Sequence, residues 1–204
     1  MFKIDPAFKA ILFDLDGTLI DSMPLHNQAW IEVLSKHGCK ITEDTLHKYT
    51  GIPNFQTVEI FNQLFGWHLD PFQIKNEKES NFLEKLKFVK VIDSVVEIAN
   101  QNFEKIPMGI VTGSAPEPAF ELIKKLDIQK YFSSIVTAAD TDKHKPSPEP
   151  FLLGASQLEV DPKGCLVFED GILGIQAAQA AGMKVIQVKS DTQALSGFKL
   201  ISLY

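Results

Sequence analysis

Two carboxylates one residue apart, Asp14 and Asp16, close the apolar run in Ile11-Leu12-Phe13-Asp14-Leu15-Asp16-Gly17-Thr18-Leu19. In an extended chain alternate side chains share a side, so both acids face the same way. Like charges that close repel unless something positive lies between them. A hard divalent cation is the simplest such group, because carboxylate oxygens are its natural ligands. The spacing points to a metal-dependent carboxylate site at the end of a strand. Three further stretches end in groups that suit it. Met108 to Thr112 runs into Gly113-Ser114, Ser134 to Thr137 leads by a short loop to Lys145 before Pro146, and Cys165 to Phe168 ends in Glu169-Asp170. Carboxylates for a metal, with a hydroxyl and an ammonium for phosphate oxygens, are what a Mg²⁺-dependent phosphoryl site requires.

The elements that must position these groups follow from hydrophobic patterning. Lys9 to Phe13, Met108 to Thr112, Ser134 to Thr137, Cys165 to Phe168 and Lys184 to Val188 read as short buried strands. Helical patterns over Ser94–Asn102, Pro118–Leu126, Pro148–Leu158 and Gly171–Ala181 alternate with them, the third with Ser147 as N-cap and Pro148 at its first position. Short apolar strands alternating with helices mean a parallel sheet covered on both faces. Sites in such sheets form beyond the carboxyl ends of the strands, where the polar groups above fall. Residues 22 to 90 break the alternation and carry no convincing strand. Helices are expected at Pro24–His37 (with Asp21 or Ser22 as cap and Gly38 as stop), Phe55–Phe65 and from Pro71 into the Phe82-Leu83-Leu86 cluster. That stretch reads as a small all-helical insertion after the first strand, and the tail after Lys189 carries no clear pattern.

Composition narrows the function classes. The chain of 204 residues is 45% hydrophobic and 23% charged, with a formal net charge of −6, as expected for a soluble globular protein. No apolar run approaches the roughly 18 residues of a membrane span, and the first residues lack a signal pattern, so a cytoplasmic protein with no membrane partner is expected. Cys39 and Cys165 lack metal-ligand spacing and read as buried free thiols. All twenty basic residues are lysines, so no guanidinium fork is available for phosphate. An acidic balance with no basic run excludes a nucleic-acid partner.

Each motif taken singly has a plainer reading. A calcium loop starting at Asp14 would need glycine at its sixth position and glutamate at its twelfth; here glycine is fourth and the twelfth is Leu25. Thr112 alone could be a strand-end cap, Lys145 a solvated cation, and Glu169-Asp170 acids favoured at a helix N-terminus. Their placement at successive strand ends is what carries the reading.

Taken together, the motifs resemble the haloacid dehalogenase superfamily. Asp14-Leu-Asp-Gly-Thr is similar to its first motif and Val111-Thr112-Gly113-Ser114 to its second. Lys145-Pro146-Ser-Pro-Glu-Pro-Phe151 is similar to the third, and Phe168-Glu169-Asp170 with Gly174-Ile175-Gln-Ala-Ala178 to the fourth. The insertion opening Asp21-Ser22-Met-Pro-Leu-His26 resembles the cap of the β-phosphoglucomutase-like subfamily, which includes sugar-phosphate phosphatases. The resemblance implies an α/β fold: a Rossmann-like parallel sheet core in residues 1–21 and 91–204, and a helical cap in 22–90. It implies Asp14 as nucleophile, Asp16 as acid and base, and Thr112 and Lys145 on the transferring oxygens. Mg²⁺ would be held by Asp14, the carbonyl of Asp16 and Asp170, with Glu169 nearby. Substrate contacts are expected from His26, Gly51, Lys78, Gly113 and Ser114, and the partner is a small phosphorylated sugar met by a monomer. The chain departs from the subfamily at Gly171, often serine, and at Ile92-Asp93, often Pro-Gly.

The same chemistry serves a phosphatase or a mutase. In the mutase type the cap supplies an arginine near the segment matching Thr50-Gly51-Ile52-Pro53-Asn54, and a lysine follows the second motif. This chain has no arginine, and Ala115 stands in the second position. Lys78 could anchor a second phosphate only as a point charge, so a phosphatase is the favoured reading. A phosphosugar-binding module would not need both Asp14 and Asp16, a dehalogenase would not need the second acid, and a dinucleotide oxidoreductase would need a Gly-x-Gly-x-x-Gly turn after the first strand. Trp30 and Phe61, with Phe65, Phe72, Phe82 and Phe88, are expected to pack the insertion, His26 to lie near Asp16 on the same resemblance, and His144 to be a loop neighbour of Lys145.

Overall fold

A computed structural model describes residues 3–50, 52–190 and 198–203, without the side chains of 190 and 198–203. Gly51 therefore lies outside the described residues. The chain divides into two compact units, Met1–Asp21 with Lys90–Tyr204, and Ser22–Val89.

The first unit is built on one sheet. Strands β1 (Ala10–Phe13), β2 (Met108–Val111), β3 (Ser134–Val136), β4 (Cys165–Glu169) and β5 (Lys184–Ser190) run parallel in the order β3-β2-β1-β4-β5. The helices between them are α5 (Asp93–Asn102), α6 (Pro116–Lys125), α7 (Glu149–Gln157) and α8 (Ile172–Ala180). The strands are near-continuous apolar runs because both their faces are covered. Leu12, Val111, Val167 and Val185 form one cluster with Phe151 and Ala155 of α7 and Ala177 and Ala178 of α8. On the opposite face Phe13 stacks on Phe168 with ring centroids 5.0 Å apart.

Helix α6 begins at Pro116, two residues before the expected Pro118, and two further features differ from the sequence expectation. A sixth strand, β6 (Phe198–Leu203), lies antiparallel on the edge of β5, in the tail that carries no clear pattern. An antiparallel neighbour needs no helical crossover, so a few residues suffice to return the chain to the edge. Helix α7 begins at Glu149 with Pro148 at the cap position, one residue later than expected. Ser147 Oγ still accepts the Glu149 N–H at 3.3 Å, which leaves Pro148, with no N–H to satisfy, between donor and acceptor.

Among its described residues the second unit holds helices and no strand, as expected: α1 (Met23–Lys36), the one-turn α2 (Glu43–His47), α3 (Asn54–Phe65) and α4 (Pro71–Lys85). Ser22 occupies the cap position of α1 but makes no side-chain cap bond, and Asp70 caps α4 through the N–H groups of Phe72 and Gln73. The unit's core gathers Trp30, Val33, Leu34, Cys39, Leu46, Val58, Phe61 and Ile74. Phe61 is its centre, edge-on to Trp30, Tyr49 and Trp67. Trp30 and Phe61 are thus core side chains. Phe72 and Phe88 are not: they stand 68% and 64% exposed, Phe72 in the first turn of α4 and Phe88 beyond its end. Both cysteines are free and buried. Among the described residues no helix is long and apolar enough to cross a membrane.

Candidate active site

The hydrogen-bond register of the sheet sets the site. Phe13 pairs with Phe168 and with Ile110, so β1, β4 and β2 end side by side. The Asp14 N–H extends the ladder to the Phe168 carbonyl at 2.9 Å, which places Asp14 beside Glu169. The Thr112 N–H likewise extends β2 onto the Val136 carbonyl. Four polar stretches that lie far apart in sequence are gathered on one sheet edge.

Lys145 is the centre of this edge. Its ammonium donates to Asp14 Oδ1 and Glu169 Oε2, both at 2.7 Å, and to the Val111 carbonyl at 3.1 Å. All three of its donors are used, and the Phe151 ring lies 5.0 Å from Nζ. Burial disfavours the charge on Lys145, but Asp14 and Glu169 more than offset this and hold it firmly protonated. The acids are less comfortable. Burial, then the charge of Glu169, pushes the Asp14 carboxyl up to about 7, even with Lys145 pulling it down. Asp170 is raised for the same reasons: burial first, then Glu169 and Asp14. One ammonium does not balance this cluster.

A divalent metal fits the donor set. Asp14, Glu169 and Asp170 each bring a carboxylate oxygen to within 4.8 Å of the others, and hard oxygens are the ligands such an ion takes. The acids differ in how they are held. Glu169 accepts from Lys145 through Oε2 and from the Gly171 N–H through Oε1 at 3.0 Å. Its carboxylate lies against Gly174 so tightly that a Cβ there would fall 2.0 Å from Oε2. Gly171 thus supplies a hydrogen bond through its backbone.

The remaining candidates divide between the units. Thr112 is buried, and its Oγ1 accepts the Ser114 N–H at 3.0 Å. Ser114 in turn donates its hydroxyl to Asp16 Oδ2 at 2.6 Å, and open space lies where a Gly113 side chain would project. Asp14, Asp16, Thr112, Gly113, Ser114, Lys145, Glu169 and Asp170 therefore belong to one assembly, and His144 is an exposed neighbour. His26 and Lys78 lie in the helical unit. The His26 ring stacks on Phe82 at 3.8 Å, and its Nδ1 lies 2.8 Å from Lys78 Nζ. Lys78 is buried beside the faces of Phe82 and Trp30. Two residues next to the acids are absent from the sequence reading of the site, Thr18 and Gln187. Thr18 closes the first motif, but its partner lies 152 residues away, and Gln187 sits inside an apolar strand with no motif around it.

Comparison with known proteins agrees with this geometry. A sequence profile of the haloacid dehalogenase-like hydrolases matches residues 11–188. Fructose-1-phosphate phosphatase YqaB of Escherichia coli is 34% identical over 186 residues, covering 89% of this chain and 97% of that one. The phosphorylated carbohydrates phosphatase of Thermotoga maritima is 30% identical over 92% of this chain and 89% of its own. Among solved structures, β-phosphoglucomutase from Clostridium difficile superposes with a TM-score of 0.73 at 26% identity, covering 88% of this chain and 84% of that one. Strand-end motifs, sheet order and an overall match spanning both units make this chain a member of the haloacid dehalogenase-like hydrolases.

Proposed function

We propose that this phosphoric monoester hydrolase acts on a small sugar phosphate, with Mg²⁺ as cofactor and an aspartyl-phosphate on Asp14 as intermediate. The observation that carries the reading is the cluster of Asp14, Glu169 and Asp170, with the Lys145 ammonium bonded to the first two. That edge holds a nucleophile, a cation site and a fixed positive charge together. An Asp14 oxygen attacks phosphorus, the bond from phosphorus to the sugar oxygen breaks, and the Asp16 carboxyl gives the departing oxygen its proton. Asp16, now ionised, takes a proton from water. The water oxygen attacks phosphorus, the bond to Asp14 breaks, and inorganic phosphate leaves with Asp14 restored. Lys145, the Thr112 hydroxyl and the Gly113-Ser114 turn hold the transferring oxygens. Mg²⁺ held by Asp14, the carbonyl of Asp16 and Asp170, with Glu169 nearby, would offset the repulsion between the nucleophile and an anionic phosphate. Residues 22–90 serve as the cap that selects the sugar, with His26, Gly51 and Lys78 as its contacts.

The likeness to β-phosphoglucomutase supports a second reading, a phosphosugar mutase. The absence of arginine weighs against it, since the second phosphate of a bisphosphate would have no planar fork to hold it. Two relatives at 30% identity or more, named for fructose 1-phosphate and for phosphorylated carbohydrates, support the phosphatase. A panel of phosphosugars that begins with fructose 1-phosphate, assayed for released phosphate and for isomerised sugar phosphate, tests both. Phosphate release that stops with EDTA and returns with Mg²⁺ is expected. Isomerised product without net release would establish the mutase, and release from no phosphosugar would overturn the proposal.

A further inference from the structure

We propose that Thr18 is a positioning residue for Asp170: its hydroxyl fixes the Asp170 carboxylate in the orientation that takes the metal, so that Mg²⁺ affinity depends on this hydroxyl. The inference rests on Asp170 being a metal ligand, as read above.

Thr18 is fully buried, and its Oγ1 donates to Asp170 Oδ1 at 3.2 Å. The turn that carries it is held at several points. The Gly17 N–H donates to the Ile20 carbonyl at 2.8 Å, and the N–H groups of Thr18, Leu19 and Ile20 all converge on the Leu15 carbonyl. The hydroxyl is therefore presented by rigid backbone, directly after the strand that carries Asp14. Gly17 forms the other wall. Its φ is +88°, and a Cβ built there would fall 2.4 Å from Asp170 Oδ2 and 2.7 Å from its Cγ. The carboxylate thus rests on bare backbone through one oxygen and takes a hydroxyl proton through the other. A third contact, from the buried Gln187 Nε2 to the Asp170 carbonyl at 3.4 Å, holds the backbone of the same residue.

Asp170 and Glu169 differ in what satisfies them. The protein occupies both oxygens of Glu169, with an ammonium and a backbone N–H. Asp170 receives only neutral donors among the described contacts, the Thr18 hydroxyl and its own backbone N–H, which orient it and leave its charge to be balanced by a cation. Burial and two neighbouring acids disfavour that charge, so a carboxylate with rotational freedom would turn away from the cluster. Neutral outer donors of this kind fix ligand orientation, and their loss costs roughly 10- to 100-fold in metal affinity.

Mg²⁺ binding to the EDTA-treated and dialysed protein is measured by calorimetry. Wild type should bind, and Asp170→Asn should not; if wild type binds no Mg²⁺ or Asp170→Asn binds as wild type, the reading of the metal site fails. Thr18→Val, which keeps the shape and loses the hydroxyl, should weaken Mg²⁺ about 10- to 100-fold while its metal-free melting temperature holds. At saturating Mg²⁺ its kcat should return to within about threefold of wild type, since the hydroxyl places the ligand and touches no substrate. Thr18→Ser should bind Mg²⁺ nearly as wild type. Should Thr18→Val not fold, Thr18→Ala carries the same expectation. Wild-type affinity in the folded hydroxyl-free variant overturns the proposal. So does an equal loss in Thr18→Ser, which would make packing of the methyl group the cause.

Discussion

Acidic side chains of the helical unit and acidic side chains at the sheet edge behave in opposite ways. In the helical unit Glu32 accepts from Lys85 and Asn81, and Glu77 from His37 and Gln73; these hydrogen bonds hold both carboxyls below their usual range. At the sheet edge Asp14 and Asp170 are pushed the other way by burial and by one another. The helical acids lie on partly exposed faces, where water and flexible partners settle them. The sheet acids are fixed by the ladder, because Asp14 cannot withdraw without breaking the bond from its N–H to Phe168. Satisfied acids hold a structure together, whereas acids held against their preference are available for chemistry. The difference marks where the reaction sits.

The largest expected effect follows from that contrast. Asp14→Asn keeps the shape of the side chain and removes its nucleophilic charge. Phosphate release should fall by at least about 10³-fold while circular dichroism stays unchanged, as losses of a nucleophile do elsewhere. Glu32→Gln, an acid of the satisfied kind, should leave turnover within about twofold. Comparable losses in the two variants would break the contrast between the units.

Next in size is Lys145→Met. It removes the ammonium between Asp14 and Glu169 and leaves buried carboxylates uncompensated, at a cost of about 3–5 kcal/mol. Lys85→Met breaks the pair with Glu32, whose side chain is 37% exposed, and should cost about 0–1 kcal/mol. Urea unfolding in EDTA at pH 7.5 measures both. The pH dependence has a definite sign. The Asp14 carboxyl titrates near 3.8 when unfolded and near 7 when folded, and Asp170 is raised as well. Between these values the folded chain holds more protons, so metal-free stability is lost as the pH rises through that window. Without Lys145 the acids repel more strongly. The penalty in Lys145→Met should therefore shrink at pH 5, where the acids can take up protons. A penalty equal at the two pH values would show that the acids are not the source of the cost.

The sheet edge was legible in the sequence because each strand is an apolar run that ends abruptly in polar residues, and parallel strands bring such ends together. Asp14, Thr112, Lys145, Glu169 and Asp170 could be named on that basis. Thr18 could not, because its role depends on a contact across the sheet edge that no local spacing encodes. Gln187 was hidden for a related reason: a single amide within Lys184–Ser190 reads as an outward position of a strand. The helix α2 carried a readable signal in Thr42 followed by Glu43 and Asp44, and Thr42 Oγ1 does accept the Thr45 N–H, but five residues are too short for periodicity to register. The ranges of the long helices came from apolar spacing and from stops such as Gly66, which takes a left-handed φ of 67° at the end of α3.

The aromatic residues of the helical unit show where such reading stops, and they carry the smallest prediction. Apolar spacing assigns Phe61 and Phe72 alike to packing, yet Phe61 is wholly buried and Phe72 is 68% exposed. Phe72 is the second residue of α4, in the first turn, where the Asp70 cap holds its N–H and that of Gln73 and its ring stands in solvent. There it stacks on Phe55 at 6.1 Å, with the rings parallel. Replacing it removes little buried surface and leaves the cap intact, since the cap uses the backbone of Phe72 and not its ring. Phe72→Ser should therefore change stability by no more than about 0.5 kcal/mol in urea unfolding. A loss above about 1 kcal/mol would mean that the stacked pair with Phe55 contributes as a buried contact does, and that exposure alone misjudges the helical unit's outer face.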